Sequence, residues 1–97
     1  MAENQFQSKL RKKIEKRFPG SITLKNDPSV NRGIPDLLVL YNGHWAALEC
    51  KDCLSEVGKK KNQVYHVSKL NKMSYASFIC PEMEEDVLNE MEQAFGL

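Results

Sequence analysis

Three ionisable residues stand at one end of a predicted β-hairpin. Asp36 lies on the first apolar run of the hairpin, and Glu49 and Lys51 end the second. Between the runs, Asn42-Gly43 is the sequence most typical of a two-residue hairpin turn. With that turn, Asp36 lies directly across from Glu49, and Lys51 points to the same face of the ribbon because side chains alternate along a strand.

This arrangement predicts a metal-assisted reaction on a phosphate ester. Two carboxylates placed opposite one another destabilise a sheet and raise each other's pKa unless a cation neutralises them. A hard divalent ion is such a cation, since Mg²⁺ is typically held by one or two carboxylates together with substrate phosphate oxygens. Lys51 could position or help deprotonate a water beside the ion, because a partly desolvated lysine shifts its pKa readily. Metal, water and phosphate together indicate phosphodiester hydrolysis.

The residues Pro35-Asp36 and Glu49-Cys50-Lys51 resemble the signature of the PD-(D/E)xK nucleases. The length and surroundings resemble one branch of that superfamily, the small stand-alone VRR-NUC nucleases of viral type. The resemblance implies an α/β fold with a mixed sheet and a restriction-endonuclease-like core. It also implies that Mg²⁺ or Mn²⁺ is bound by Asp36, Glu49 and the backbone carbonyl of Cys50, with Lys51 near the nucleophilic water.

Two further site residues are implied by the same resemblance. Glu3, on the first helix, would be an accessory acid, although an acid in a first helical turn also simply complements the helix dipole. Gln63, on the helix after the hairpin, would belong to the catalytic set, and its related pattern has a tyrosine where this chain has Val67.

The expected substrate is DNA, held by its backbone. Arg32 lies close to the predicted site and could meet a phosphate, and Lys59, Lys60 and Lys61 would contact the backbone without reading sequence. The resemblance implies branched DNA, such as a Holliday junction or a flap, in repair or recombination, with a viral source. A homodimer with two active sites is expected, because one small domain can hardly grip a junction.

The composition is that of one soluble globular domain spanning residues 1–97, with 41% hydrophobic and 28% charged residues. No apolar run reaches ~18 residues and the N-terminus lacks an apolar signal segment, so neither a membrane span nor secretion is expected. Three cysteines argue against a disulfide framework. We expect a cytoplasmic location (host cytoplasm if viral) and no small-molecule cofactor.

Charge is distributed unevenly along the chain. Residues 1–25 contain seven Lys/Arg and two acids, residues 55–75 five Lys and one acid, and residues 76–97 six acids and no Lys/Arg. This pattern predicts a basic face that attracts a polyanion and an acidic face behind it.

The predicted element order is α-β-β-β-α-β-α. Phe6, Leu10, Ile14 and Phe18 form a helical stripe, which Pro19-Gly20 ends. The nearly continuous apolar run over 34–41 predicts a central strand covered on both faces. The remaining predicted elements are a strand over 21–25, the hairpin over about 34–51, a helix over about 56–72, a strand over 75–80 and a helix opened by Pro81.

Two alternatives remain open at this point. Cys50 and Cys53 form a C-x-x-C that could bind zinc or act as a redox pair, but a second ligand pair is missing and Cys50 is expected in the core. The chain could also be a catalytically silent module that binds nucleic acid or protein on the same fold. We expect no chemical role for His44 or His66.

Overall fold

The computed structural model describes residues 3–97, in which three α-helices pack on a four-stranded mixed sheet in the predicted order α-β-β-β-α-β-α. The fold class is α+β. None of these helices combines the length and the apolar character needed to cross a bilayer. The elements are α1 (Glu3–Arg17), β1 (Ile22–Lys25), β2 (Leu37–Tyr41), β3 (His44–Cys50), α2 (Lys61–Met73), β4 (Tyr75–Ile79) and α3 (Glu84–Ala94), with 3₁₀ turns at Leu54–Glu56 and Pro81–Met83.

The turn between β2 and β3 sets the register of the sheet. Asn42 and Gly43 have φ angles of 48° and 82°, and positive φ at both central residues defines the type I′ turn that matches the twist of a hairpin. Tyr41 consequently pairs with His44, and Leu37 with Leu48. The register predicted from Asn42-Gly43 is confirmed.

The strands lie in the order β1-β2-β3-β4. The pairs β1–β2 and β2–β3 are antiparallel, and β4 joins β3 in parallel. A parallel neighbour requires a crossover connection, which α2 provides. The end of β3 that carries Glu49 is therefore bordered by β2 on one side and by β4 on the other.

Helices α1 and α3 cover one face of the sheet. The predicted stripe of α1 is buried, and its last ring, Phe18, makes edge contacts with Tyr41 and Phe95 at centroid distances of 5.6 and 5.4 Å. Cys50 and Cys80 are buried in the structure as well, as predicted for Cys50. The buried side of α3 consists of Val87, Leu88 and Met91, and Phe95, just after the helix, is buried as well.

Helix α2 covers only part of the opposite face. Val67 packs with Ala47 and Ala76, over β3 and β4. The β1 side of this face remains open, and the exposed fractions of Ile22, Leu24 and Leu40 are 56%, 47% and 36%. The prediction that the run over 34–41 is covered on both faces is wrong at Leu40, because α2 does not reach β1.

Helix α2 begins later than predicted. A 3₁₀ turn at Leu54–Glu56 is followed by Gly58, whose φ of 76° is left-handed. A left-handed residue changes the direction of the chain, so the 3₁₀ turn does not continue into α2. Lys60 is the N-cap of α2 and its side chain caps no backbone group. Lys59 and Lys60 therefore precede the helix instead of lying in its first turns.

Ion pairs join α1 to α3. Lys13 contacts Glu84 at 2.5 Å, and Arg17 contacts Glu85 at 2.7 Å and also Glu92. The acidic C-terminal segment thus lies beside one side of the basic helix and neutralises part of it. The predicted separation of a basic face from an acidic back is correspondingly reduced.

Candidate functional site

The end of the hairpin is held together by two hydrogen bonds that involve carboxylates. Pro35 has no N–H, so it cannot donate a further ladder bond beyond Leu37. In its place the Oδ2 atom of Asp36 accepts a hydrogen bond from the Cys50 N–H at 2.9 Å, and the Oε2 atom of Glu49 accepts one from the Asp36 N–H at 3.3 Å. Each carboxylate is bonded to the strand that carries the other, so the two acids lie side by side.

The environment of Asp36 works against its ionisation. Burial raises the pKa of this carboxyl above its ordinary value of 3.8, because desolvation disfavours the charged form. The hydrogen bond from the Cys50 N–H and the charges of Lys51 and Lys25 act in the opposite direction and offset only part of the effect. A bound cation would relieve the remaining cost.

Lys51 and the backbone of Cys50 approach the same carboxylate. The charge of Lys51 acts on Asp36, and its side chain is half-buried. The N–H and C=O of one strand residue point to the same edge, and the N–H of Cys50 points to Asp36. The Cys50 carbonyl is therefore directed toward the edge at which Asp36 lies, as a ligand role requires.

A cleft of about 360 Å³ opens above this end of the ribbon. It lies between the loop that leads into β2 and the first turns of α2. Four of the predicted site residues line it together: Arg32, Asp36, Glu49 and Gln63. The fold brings these four residues to one cavity, whereas Lys51 and Cys50 are not among the residues that line it.

The N-terminus of α2 faces this cleft. Asn62 and Gln63, in the first turn, contribute to its wall. That turn contains no acidic residue, and no side chain caps its N–H groups among the described residues. The partial positive charge at a helix N-terminus favours an anion, so this wall suits a phosphate group.

The oxygens that line the cleft fit a hard divalent cation. Asp36 and Glu49 supply carboxylates, and the side-chain oxygen of Gln63 is buried with no hydrogen-bond partner among the described residues. In residues 3–97 no group of three or more His, Cys, Asp or Glu side chains could hold a metal. Mg²⁺ is typically held by one or two carboxylates, with waters and substrate oxygens completing its shell.

Some predicted residues lie elsewhere. Lys59, Lys60 and Lys61 are exposed and do not line the cleft, and Lys59 lies 3.9 Å from Glu56. The side chain of Glu3 lies outside the described part of the chain. The three cysteines form no disulfide in residues 3–97, and Cys53 contacts the Ser55 hydroxyl at 3.1 Å.

His66 lines the cleft as well, although no role was expected for it. It follows Gln63 by three residues on α2, and this spacing, which places two residues on one helix face, was the signal that could have found it. Its ring packs against Gly33, where a Cβ atom would come within 2.7 Å of the imidazole. This contact joins the loop before β2 to α2 and so shapes the cleft.

Comparison with protein-family models, with curated proteins and with solved structures finds no match for this sequence. The function proposed below therefore rests on the geometry of the cleft.

The contact between Gly33 and His66 can be tested with a matched pair of glycines. Gly33 and Gly58 both have left-handed φ angles, but a Cβ on Gly58 would meet no atom within 4 Å. Gly58→Ala should lower the free energy of unfolding by roughly 1–2 kcal/mol through backbone strain alone. Gly33→Ala should cost a further ~1–3 kcal/mol because it also overpacks the imidazole, as urea denaturation would measure. Equal losses in the two variants, or no recovery in Gly33→Ala with His66→Ala, would contradict the contact.

Asp36 should make stability depend on pH in a defined direction. Since its pKa is raised above 3.8, the folded protein holds more protons than the unfolded chain between that value and the folded pKa, and the free energy of unfolding falls as pH rises through this interval. Asp36→Asn should therefore stabilise the protein at pH 7 relative to the parent, and by much less at pH 3. Urea denaturation at both pH values measures this, with the exposed Asp52→Asn as control.

Added Mg²⁺ provides a second comparison for the same variant. A ligand that binds only the folded state raises the free energy of unfolding by mass action. Millimolar Mg²⁺ should stabilise the parent protein and Asp52→Asn, but not Asp36→Asn. An equal gain in all three proteins would mean that the ion binds somewhere other than this carboxylate.

Proposed function

We propose that this chain is a Mg²⁺- or Mn²⁺-dependent endonuclease that hydrolyses phosphodiester bonds of DNA. The observation that supports the proposal most directly is the pair of carboxylates, Asp36 and Glu49, bonded across the end of the hairpin. They open into a polar cleft that also contains a helix N-terminus and an arginine. A hydrolase acting on a phosphate ester needs these groups in one place.

Asp36, Glu49 and the Cys50 carbonyl would hold the divalent cation. When bound, such an ion lowers the pKa of a coordinated water and neutralises charge on the phosphate. Gln63 would complete the polar wall with its unpartnered amide oxygen. Because both carboxylates are fixed by backbone hydrogen bonds, they would need little reorganisation to bind the ion.

The remaining groups would act on water and phosphate. Lys51 would orient the attacking water and balance the negative charge that develops in the transition state. Arg32 and the N-terminus of α2 would bind the non-bridging phosphate oxygens. A bond forms between the water oxygen and phosphorus, the bond from phosphorus to the leaving oxygen breaks, and the leaving oxygen takes up a proton. The products are a phosphate monoester and a hydroxyl group.

Branched DNA is the proposed substrate class, as the resemblance to the VRR-NUC nucleases implies, with a role in repair or recombination. Lys59, Lys60 and Lys61 stand exposed just before and at the start of α2. Helix α2 borders the cleft through Asn62, Gln63 and His66. The three lysines would therefore meet the DNA backbone beside the reacting phosphate without reading base sequence.

The proposal is tested by incubating labelled four-way junctions, flaps and plain duplex with the protein and either Mg²⁺ or Mn²⁺. We expect cleavage of branched DNA, abolished by Asp36→Asn and by Glu49→Gln. Lys51→Ala should lower turnover by a factor of about 10²–10³, typical for losing one group that stabilises transition-state charge, while junction binding in EDTA persists. Asp52→Asn, which removes a neighbouring exposed carboxylate, should cleave normally.

Persistence of full cleavage in Asp36→Asn would overturn the assignment of the site. Tight junction binding without cleavage by any of the proteins would overturn the enzymatic function and favour the silent binding module.

A homodimer is part of the proposal, and the open part of the sheet offers a surface for it. Ile22, Leu24 and Leu40 are neighbours across β1 and β2 on the face that α2 leaves uncovered, and Leu38 and Trp45 lie half-buried beside them. Apolar side chains grouped in this way favour association. A second copy turned through a two-fold axis would place the same group against itself, as a closed isologous dimer requires.

Replacing one of these side chains by a charge should separate the dimer. Leu24→Glu would bury a carboxylate without a partner in the interface, so we expect a mass near that of one chain by light scattering or sedimentation at micromolar concentration. Val30→Glu introduces the same charge at an exposed residue of the loop before β2 and should leave the mass unchanged. Equal masses for the parent protein and both variants would contradict this interface.

A further inference from the structure

A second polar depression, of about 310 Å³, is lined by residues of α1 and by Lys25 at the end of β1. The residues that give it chemical character are Gln7, Arg11, Lys12, Glu15 and Lys25. None of them lines the cleft described above, although the charge of Lys25 also acts on Asp36.

Gln7 is the unusual member of this group. Only 5% of its surface is exposed, and its side-chain oxygen has no hydrogen-bond partner among the described residues. A buried polar atom without a partner costs stability. The Nε2 atom of Gln7 is not among the buried atoms without a partner, and Gln7 lines the depression. The N–H₂ end of the amide can therefore donate to an anion there.

The charges around Gln7 also favour an anion. Arg11, Lys12 and Lys25 carry three positive charges against the single negative charge of Glu15. Within the described residues these three cations form no salt bridge, whereas Lys13 and Arg17 on the same helix are paired with acids of α3. Helix α1 thus has its cations neutralised on the side that faces α3 and unneutralised on the side that faces the depression.

One of the cations is held in place. Arg11 donates a hydrogen bond from Nη2 to the Thr23 carbonyl at 3.1 Å, which fixes the guanidinium against β1. An arginine positioned in this way loses less side-chain freedom when it binds a phosphate than one extended into solvent. The depression therefore combines a preorganised cation, two further ammonium groups and a buried amide.

We propose that this depression binds a phosphodiester group of the nucleic-acid strand, distinct from the one in the cleft. The choice of nucleic acid rests on the proposed nuclease function, whereas the affinity for a phosphate follows from the depression itself. Lys25 connects the two places, since it lines the depression and its charge also acts on the Asp36 carboxylate. A strand bound at the depression would therefore contact a lysine whose charge also reaches the candidate site.

Binding of labelled duplex DNA in EDTA tests the proposal without any cleavage. The double variant Lys12→Ala/Lys25→Ala should flatten the dependence of log K on log salt concentration by about 0.9, the contribution of one neutralised phosphate. The control Lys9→Ala/Lys16→Ala removes two exposed lysines of α1 that lie outside the depression. It should flatten the slope by less.

Gln7→Leu tests the contribution of the amide to binding while the charged side chains remain in place. It keeps a side chain of similar size and removes both the orphaned oxygen and the donors. We expect DNA affinity to fall about fivefold, the size of one net hydrogen bond, while thermal stability is equal or higher. Unchanged DNA affinity in Gln7→Leu, together with equal slopes for the two double variants, would overturn the proposal.

The source of the phosphate is settled by NMR of the glutamine side-chain amides. Titration with a short oligothymidylate should shift the Gln7 amide signal in the parent protein and not in Lys12→Ala/Lys25→Ala. A shift with inorganic phosphate but none with the oligonucleotide would overturn the proposal in favour of free phosphate. Because none of these measurements involves turnover, a failure of the nuclease assay and a failure of this site are distinguishable.

Discussion

The hydrogen bonds between the Asp36 and Glu49 carboxylates and each other's strands continue the hairpin where Pro35 interrupts the backbone ladder. Two like charges in one place would ordinarily separate the strand ends. Here the geometry of the ribbon itself depends on their staying together. The hairpin that positions the two acids is also the centre of the sheet, so the candidate site and the fold depend on the same strands.

The cost in stability of burying the Asp36 carboxylate is linked to the role proposed for it. Burial raises the pKa of Asp36, so ionisation of this carboxyl lowers the free energy of unfolding. The charges of Lys51 and Lys25 offset this loss only in part. A hard cation and a phosphate would together balance the charges of the acids, of Arg32 and of the α2 terminus. The cleft thus contains groups of both signs, the carboxylates of Asp36 and Glu49 and the guanidinium of Arg32.

The parts of this structure that local chemistry decides could be predicted from the sequence. Asn42-Gly43 fixed the register of the hairpin, because a type I′ turn permits only one pairing, and the four-residue spacing of Phe6 to Phe18 identified the buried side of α1. The convergence of Asp36 and Glu49 followed from the turn alone. The predicted start of α2 near residue 56 was too early, because the left-handed Gly58 changes the direction of the chain before the helix begins.

Contacts between distant segments could not be predicted in this way. The packing of His66 on Gly33 depends on how the loop before β2 meets α2. The exposure of Leu40 depends on how far α2 extends over the sheet. The grouping of Gln7 with Lys25 depends on how α1 docks beside β1. In each case the sequence supplies the residue and only the tertiary arrangement supplies its neighbour.

The bond from Arg11 to Thr23 has a consequence for how copies of this chain can associate. Strand β1 is at the border of the sheet, and such a strand with two exposed aliphatic side chains could template the addition of further strands from other molecules. The guanidinium already occupies a backbone acceptor of that strand. The guanidinium therefore competes with any further strand for that acceptor, which hinders extension of the sheet at this edge.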